Sequence, residues 1–108
     1  MTYETGAIRD DDSGKIDIEG SISPLALERY CEYMLKNTAM PDGTRRSCDN
    51  WQRGFPEKRL MQSLLRHVHD VWMIHRGWRS GEMEEALCAV LFNAQALLHE
   101  RLREKRRL

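Results

Sequence analysis

"GEMEEALCAVLFNAQALLHERLREKRRL", residues 81–108, decides the fold class. After Gly81 neither glycine nor proline interrupts the run, and its apolar residues recur at three- and four-residue steps, the period of an amphipathic helix. The pattern predicts one long helix from Glu82 to about Arg107. Met83, Leu87, Val90, Leu91, Ala94, Leu97 and Leu98 form the side expected to face inwards. Alanines at 86, 89, 94 and 96 leave room for a second helix to come close. Glu82, Glu84 and Glu85 suit the positive end of the helix dipole.

Working back along the chain, Gly77 to Gly81 is a break, and a second helix precedes it from Pro56-Glu57. Its expected inner stripe is Met61, Leu64, Leu65, Val68 and Trp72, widened by Leu60, Val71 and Ile74. A helix apolar round so much of its circumference needs neighbours on two sides. Residues 39–55 hold Pro41, Gly43 and Gly54 and form a loop too long for a mere connection. Ser23-Pro24 is a capping hydroxyl followed by proline at the first helical position. It starts another helix, ending near Thr38, with Leu27, Tyr30, Cys31, Met34 and Leu35 as its apolar stripe. Residues 1–22 are a polar arm with only a weak alternation at Lys15 to Ile18. The expectation is an all-α protein of three long helices: an arm over 1–22 and one helical domain over 23–108, with a basic tail at 101–108.

A chain of 108 residues forms one core. Hydrophobic residues make up 41%, charged ones 31%, and mean hydropathy is −0.66, so the core is lean and the surface large. Oligomerisation would bury what one chain leaves exposed. Seventeen basic residues balance seventeen acidic ones, giving no overall field towards nucleic acid or membrane. Three cysteines without a CxxC fit free thiols in a reducing compartment. No apolar run is long enough to span a bilayer, and none near the N-terminus resembles a secretion signal, so a cytoplasmic location is expected.

Several constellations have chemical potential. Glu28 and Glu32 are four apart on the first long helix, expected to flank its apolar stripe. Glu82 and Glu85 are three apart at the start of the last helix. The four carboxylates form either two solvated helix surfaces or a cage for magnesium with a nucleotide's phosphates. "LLRHVHD" offers Arg66 as a bidentate phosphate ligand or a partner for a nearby glutamate, and His67 as a hydrogen-bonded histidine at a helix interface. Asn93 lies in the otherwise apolar "AVLFNAQALL", where its amide needs partners. "CDNWQRGFP" brings Asn50 and Trp51 together in the long loop, with Trp51 free to stack on a base or to plug the core. Lys15 follows Ser-Gly without a phosphate-loop motif. The tail, with four arginines and a lysine against one glutamate, is a solvated helix end or a phosphate contact, and no aromatic residue is interleaved to stack bases.

Together "RDDDSGKIDIEGSISPLALERYCEYMLK", "NWQRG", "LLRHVHDVW" and "EEALCAVLFNAQALLH" resemble, over residues 9–100, the phage dATP/dGTP diphosphohydrolase family (N-terminal domain), related to the all-α MazG-type nucleotide pyrophosphatases. The resemblance implies a MazG-like bundle completed as a dimer or tetramer. It implies a purine deoxynucleoside triphosphate substrate, cut with magnesium or manganese to the monophosphate and pyrophosphate in the host cytoplasm. Under it, Glu28, Glu32 and His67 are catalytic, and Glu28, Glu32, Glu82 and Glu85 hold the metal. Lys15, Asn50, Trp51, Arg66 and Asn93 contact substrate. The chain departs from the family in three places. Its first-helix glutamates are spaced one residue wider than E-x-x-E, Ala89 occupies the aspartate position of the second acidic motif, and no "KYG" precedes "NW". Two other functions fit the sequence: a nucleotide-binding protein without turnover, sequestering a signalling nucleotide, and a helical module that binds a host protein or nucleic acid.

Overall fold

The computed structural model describes residues 2, 4–6, 14–48 and 50–107. The order of elements is α1 (Ile18–Ser21), α2 (Pro24–Lys36), a 3₁₀ turn (Asn50–Arg53), α3 (Glu57–His75) and α4 (Met83–Lys105). The protein is all-α: among the described residues there is no strand, and an isolated bridge joins Ala39 and Arg45. No helix of the described residues is long and apolar enough to cross a membrane.

Local chemistry sets the helix limits. Ser23 Oγ accepts from Ala26 N–H at 3.1 Å, and Pro24 opens α2 with no N–H to leave unpaired. Pro56 precedes α3, and acidic first turns follow in α3 and α4. The arm is not wholly extended. The Asp17 carboxylate accepts from Gly20 N–H at 2.9 Å and caps the short α1, which takes over the end of the predicted alternation.

Helices α3 and α4 pack as an antiparallel pair. Arg101 near the end of α4 bridges to Glu57 at the start of α3. At the other end the hairpin is so tight that a Cβ on Gly81 would lie 3.1 Å from Ile74 Cδ1. The seam is not the one the largest side chains suggested. On α3 the inward line is Leu60, Leu64, His67, Val71 and Ile74, all buried or half-buried, whereas Met61, Leu65, Val68 and Trp72 are exposed. On α4 the buried line is Ala86, Ala89, Asn93 and Ala96; Leu87, Leu91 and Leu98 point outward and Ala94 is exposed. The reason is close approach, since small side chains let two helix backbones come together and leucines hold them apart.

Helix α2 packs on another side of α4, where Arg29 meets Glu84, Glu85 and Cys88. Its inward residues are the buried Tyr30 and the half-buried Tyr33, Met34 and Asn37. Leu27, Cys31 and Leu35, expected on that stripe, are exposed. Tyr30 and Tyr33 stack with ring centroids 6.3 Å apart. The Tyr30 hydroxyl is buried without a hydrogen-bond partner, and burial pushes its pKa up to about 12. The resulting core is thin: no large side chain among the described residues is completely enclosed.

Candidate functional site

The segment after α2 folds back on the helix end. Thr38 Oγ1 donates to Leu35 C=O at 2.7 Å and accepts from Arg45 Nη1 at 3.0 Å, which satisfies a buried hydroxyl. Arg46 N–H donates to Thr38 C=O at 2.8 Å, and its Nε donates to Asn37 C=O at 3.0 Å. Between these anchors the chain reverses at Gly43, whose φ of +86° is a left-handed conformation open to glycine. Asp42 accepts from the Thr44 hydroxyl and amide, which holds its carboxyl below the ordinary range.

The returning chain then reaches α4 through the 3₁₀ turn. The Trp51 indole meets the His99 imidazole edge-on, with ring centroids 4.8 Å apart. A cleft of about 140 Å³ opens between α2, this loop and α4. Tyr33, Trp51, Phe55 and Phe92 supply aromatic walls, Asn37 and Asn50 amides, and Arg46 a guanidinium. Pockets that enclose a drug-sized ligand measure roughly 300–1,000 Å³, so this one admits a single ring system and leaves the remainder of a ligand outside. Aromatic faces stack on any base, amides pair with base edges, and a guanidinium suits an anion.

The expected carboxylate cage does not form within the chain. Glu28 and Glu32 stand two residues either side of Tyr30, so at ~100° per residue they lie on the far side of α2 from α4. Both are exposed and neither flanks the buried stripe. Glu85 does face α2, but it meets cations there: Arg29 Nη2 at 3.1 Å and Lys36 Nζ at 3.4 Å. Arg29 Nε also donates to Glu84 at 2.8 Å. Hydrogen bonds to Glu84 and Glu85 raise the Arg29 guanidinium above its usual range, and Arg29 holds the Glu85 carboxyl below its own. Glu82 is the exposed N-cap residue of α4. Among the described residues no group of three or more His, Cys, Asp or Glu side chains is placed to hold a metal ion.

The other expected site residues also separate. His67 lies on the α3 side turned towards α4, while its neighbour Arg66 is exposed beside Gln62, Leu65 and His69. Asn93 is buried in the α3–α4 seam, where its Nδ2 donates to Ala89 C=O at 2.8 Å, within its own helix. Lys15 is exposed ahead of α1. Of the five expected substrate contacts, the cleft gathers Asn50 and Trp51. Tyr33, Asn37 and Arg46 join them without having been singled out in the sequence. The four-residue step from Tyr33 to Asn37, which puts both on one helix edge, was the available signal.

Compared with protein families, curated proteins and solved structures, the chain finds no match.

Proposed function

We propose that the protein binds a purine nucleotide, with the base in the cleft between α2, the Asn50–Arg53 turn and α4. The observation that carries this reading is the convergence of Trp51, Asn50, Asn37 and Arg46 on one small aromatic-walled cleft. In this reading the base stacks against Trp51, the amides of Asn37 and Asn50 meet its edge, and Arg46 receives the first phosphate. The binding test is titration with dGTP, dATP and the pyrimidine triphosphates, followed by tryptophan fluorescence and calorimetry. Saturable binding of the purine forms, lost in Trp51→Ala, is the expected result. Absence of binding to all four overturns the proposal.

Hydrolysis to the monophosphate and pyrophosphate is the second reading, favoured by Glu28 and Glu32. They are exposed, one turn apart, and have no cationic partner among the described residues. Magnesium is commonly held by one or two carboxylates together with substrate phosphates, so a pair fits that ion where a full cage is missing. The pair lies on the opposite side of α2 from the cleft, however, so no catalytic step is derived through it within one subunit. Chromatography of each triphosphate incubated with and without magnesium separates the readings. Magnesium-dependent product, lost in Glu28→Ala and Glu32→Ala, supports turnover; bound but intact nucleotide leaves a binding protein that sequesters its ligand.

A further inference from the structure

We infer that the outer face of α3 and the turn after it bind single-stranded nucleic acid, with bases stacked on Trp72 and Trp78 and phosphates held by Lys58, Arg66 and Arg76. The face is separate from the cleft between α2 and α4, and the inference is independent of the ligand there. Lys58, Gln62, Arg66, His69, Trp72 and Arg76 follow one another at three- and four-residue steps. At ~100° per residue they lie on the side of α3 opposite the Leu60–Ile74 line that meets α4, and all six are exposed. The row runs about 27 Å at 1.5 Å per residue.

At the end of the helix the chain builds an aromatic slot. Trp78 N–H donates to Met73 C=O and Gly77 N–H to Ile74 C=O, each at 3.0 Å, and Gly77 takes a left-handed φ of +79°. This pair of bonds is the Schellman stop of a helix, which sets the residue after the glycine beside the one five positions back. Arg79 Nη1 lies 2.8 Å from Asp70 Oδ1 and ties the turn to α3. His69, Trp72, Met73, Arg76 and Trp78 thus line one cleft of about 280 Å³. The His69 ring stands perpendicular to Trp72 with centroids 6.3 Å apart, which steadies the indole. Packing on Met73 accounts for an apolar residue at 78, yet Trp78 stays 78% exposed and Trp72 58%. Two indoles left so open are a platform for a further planar ring.

Charge selects the occupant. The chain as a whole is neutral, but residues 58–79 hold five lysines and arginines against one acidic residue, Asp70, which Arg79 engages. Lys58, Arg66 and Arg76 have no ion-pair partner among the described residues. The helix dipole favours Arg76 at the C-terminal end, but Lys58 in the first turn stands against it, so the row is not a dipole effect. Cations repeated along a whole helix face suit a backbone charged at every unit, and indoles accept any base. A duplex keeps its bases inside its own stack, so the strand must be single.

The test is fluorescence anisotropy of a labelled oligothymidylate titrated with the full chain. The probe carries no purine, so it reads this face apart from the cleft. Saturable binding is expected, with log K falling against log salt at a slope of about −2, from ~0.7 for each phosphate met by Lys58, Arg66 and Arg76. Trp72→Ala and Trp78→Ala should each weaken binding about ten- to hundredfold, as loss of one stacked base does. Both sites are exposed, so helical circular dichroism should be kept. Arg66→Ala should make the salt slope shallower by about 0.7. Arg106→Ala with Arg107→Ala, on the basic tail, should leave binding as it is. Absence of binding overturns the inference, and so does binding that the tail variant abolishes and the tryptophan variants leave unchanged. Equal affinity for a duplex of the same length overturns it too, as does a labelled acidic peptide that binds through Trp72 where the oligonucleotide does not.

Discussion

Arg29 holds Glu85 across the α2–α4 groove, with Nη2 3.1 Å from the carboxylate. A carboxyl whose folded-state pKa is depressed adds stability above the ordinary carboxylate range and loses it as pH falls through the lowered value. Acid should therefore loosen α2 from α4. Thermal melts between neutral and strongly acidic pH are expected to show stability falling as Glu85 protonates. In Arg29→Ala, where Lys36 is left as the cationic partner of Glu85, that part of the acid dependence should shrink and the neutral-pH melting temperature should be lower.

Trp51→Ala removes one wall of the cleft. Stacking on an aromatic side chain is worth roughly 1–3 kcal/mol per base, so purine nucleotide affinity should fall about ten- to hundredfold. Helical circular dichroism should be retained, because the 3₁₀ turn lies outside the α3–α4 seam. Calorimetry of the wild type and the variant reads the difference directly.

Tyr30→Phe takes away a buried hydroxyl that has no partner. A buried, unsatisfied polar group costs about 1–3 kcal/mol, so the variant should be more stable by about 1 kcal/mol in urea melts. Equal or lower stability would mean the hydroxyl has a partner in solution.

Leu60 and Leu65 should respond differently to the same truncation. Leu60 is 4% exposed in the seam within one chain. Leu60→Ala should cost about 2–5 kcal/mol, as cavity-forming substitutions do, through lost contacts within the chain. Leu65 is 60% exposed, so Leu65→Ala should cost far less. Urea melts of both variants measure this.

The helix limits were legible because their causes are local. Ser23-Pro24, Pro56-Glu57 and the glycines at 77 and 81 act within a few residues, and α2, α3 and α4 begin where those signals stand. Which side of each long helix faces inward was legible only in part: Leu60, Leu64, Val71 and Ile74 on α3, Met83, Val90 and Leu97 on α4, and the alanines at 86, 89 and 96 lie inward as expected, while the rest of the expected stripes does not. Both α3 and α4 are apolar round much of their circumference, and the largest side chains drew the assignment. The chain uses Ala86, Ala89 and Ala96 of α4 for the close seam and turns Leu87, Leu91 and Leu98 outward. In the site, Asn50 and Trp51 were readable as unusual loop residues. The carboxylate cage failed because the partner of Glu85 is Arg29, 56 residues away in sequence, and no local spacing announces such a pair.

One thiol sits beneath the Arg29 clamp. Cys88 is 3% exposed and 3.9 Å from Arg29 Nη1, whereas Cys31 and Cys48 are exposed. Burial also raises the Cys88 pKa, which keeps its sulfur protonated and slow to react. The chain thus contains a timer: two thiols label on contact with an alkylating reagent, and the third labels only when α2 swings away. With the reagent in enough excess that alkylation outpaces closing, the lag between them gives the opening frequency of the groove in the unaltered chain.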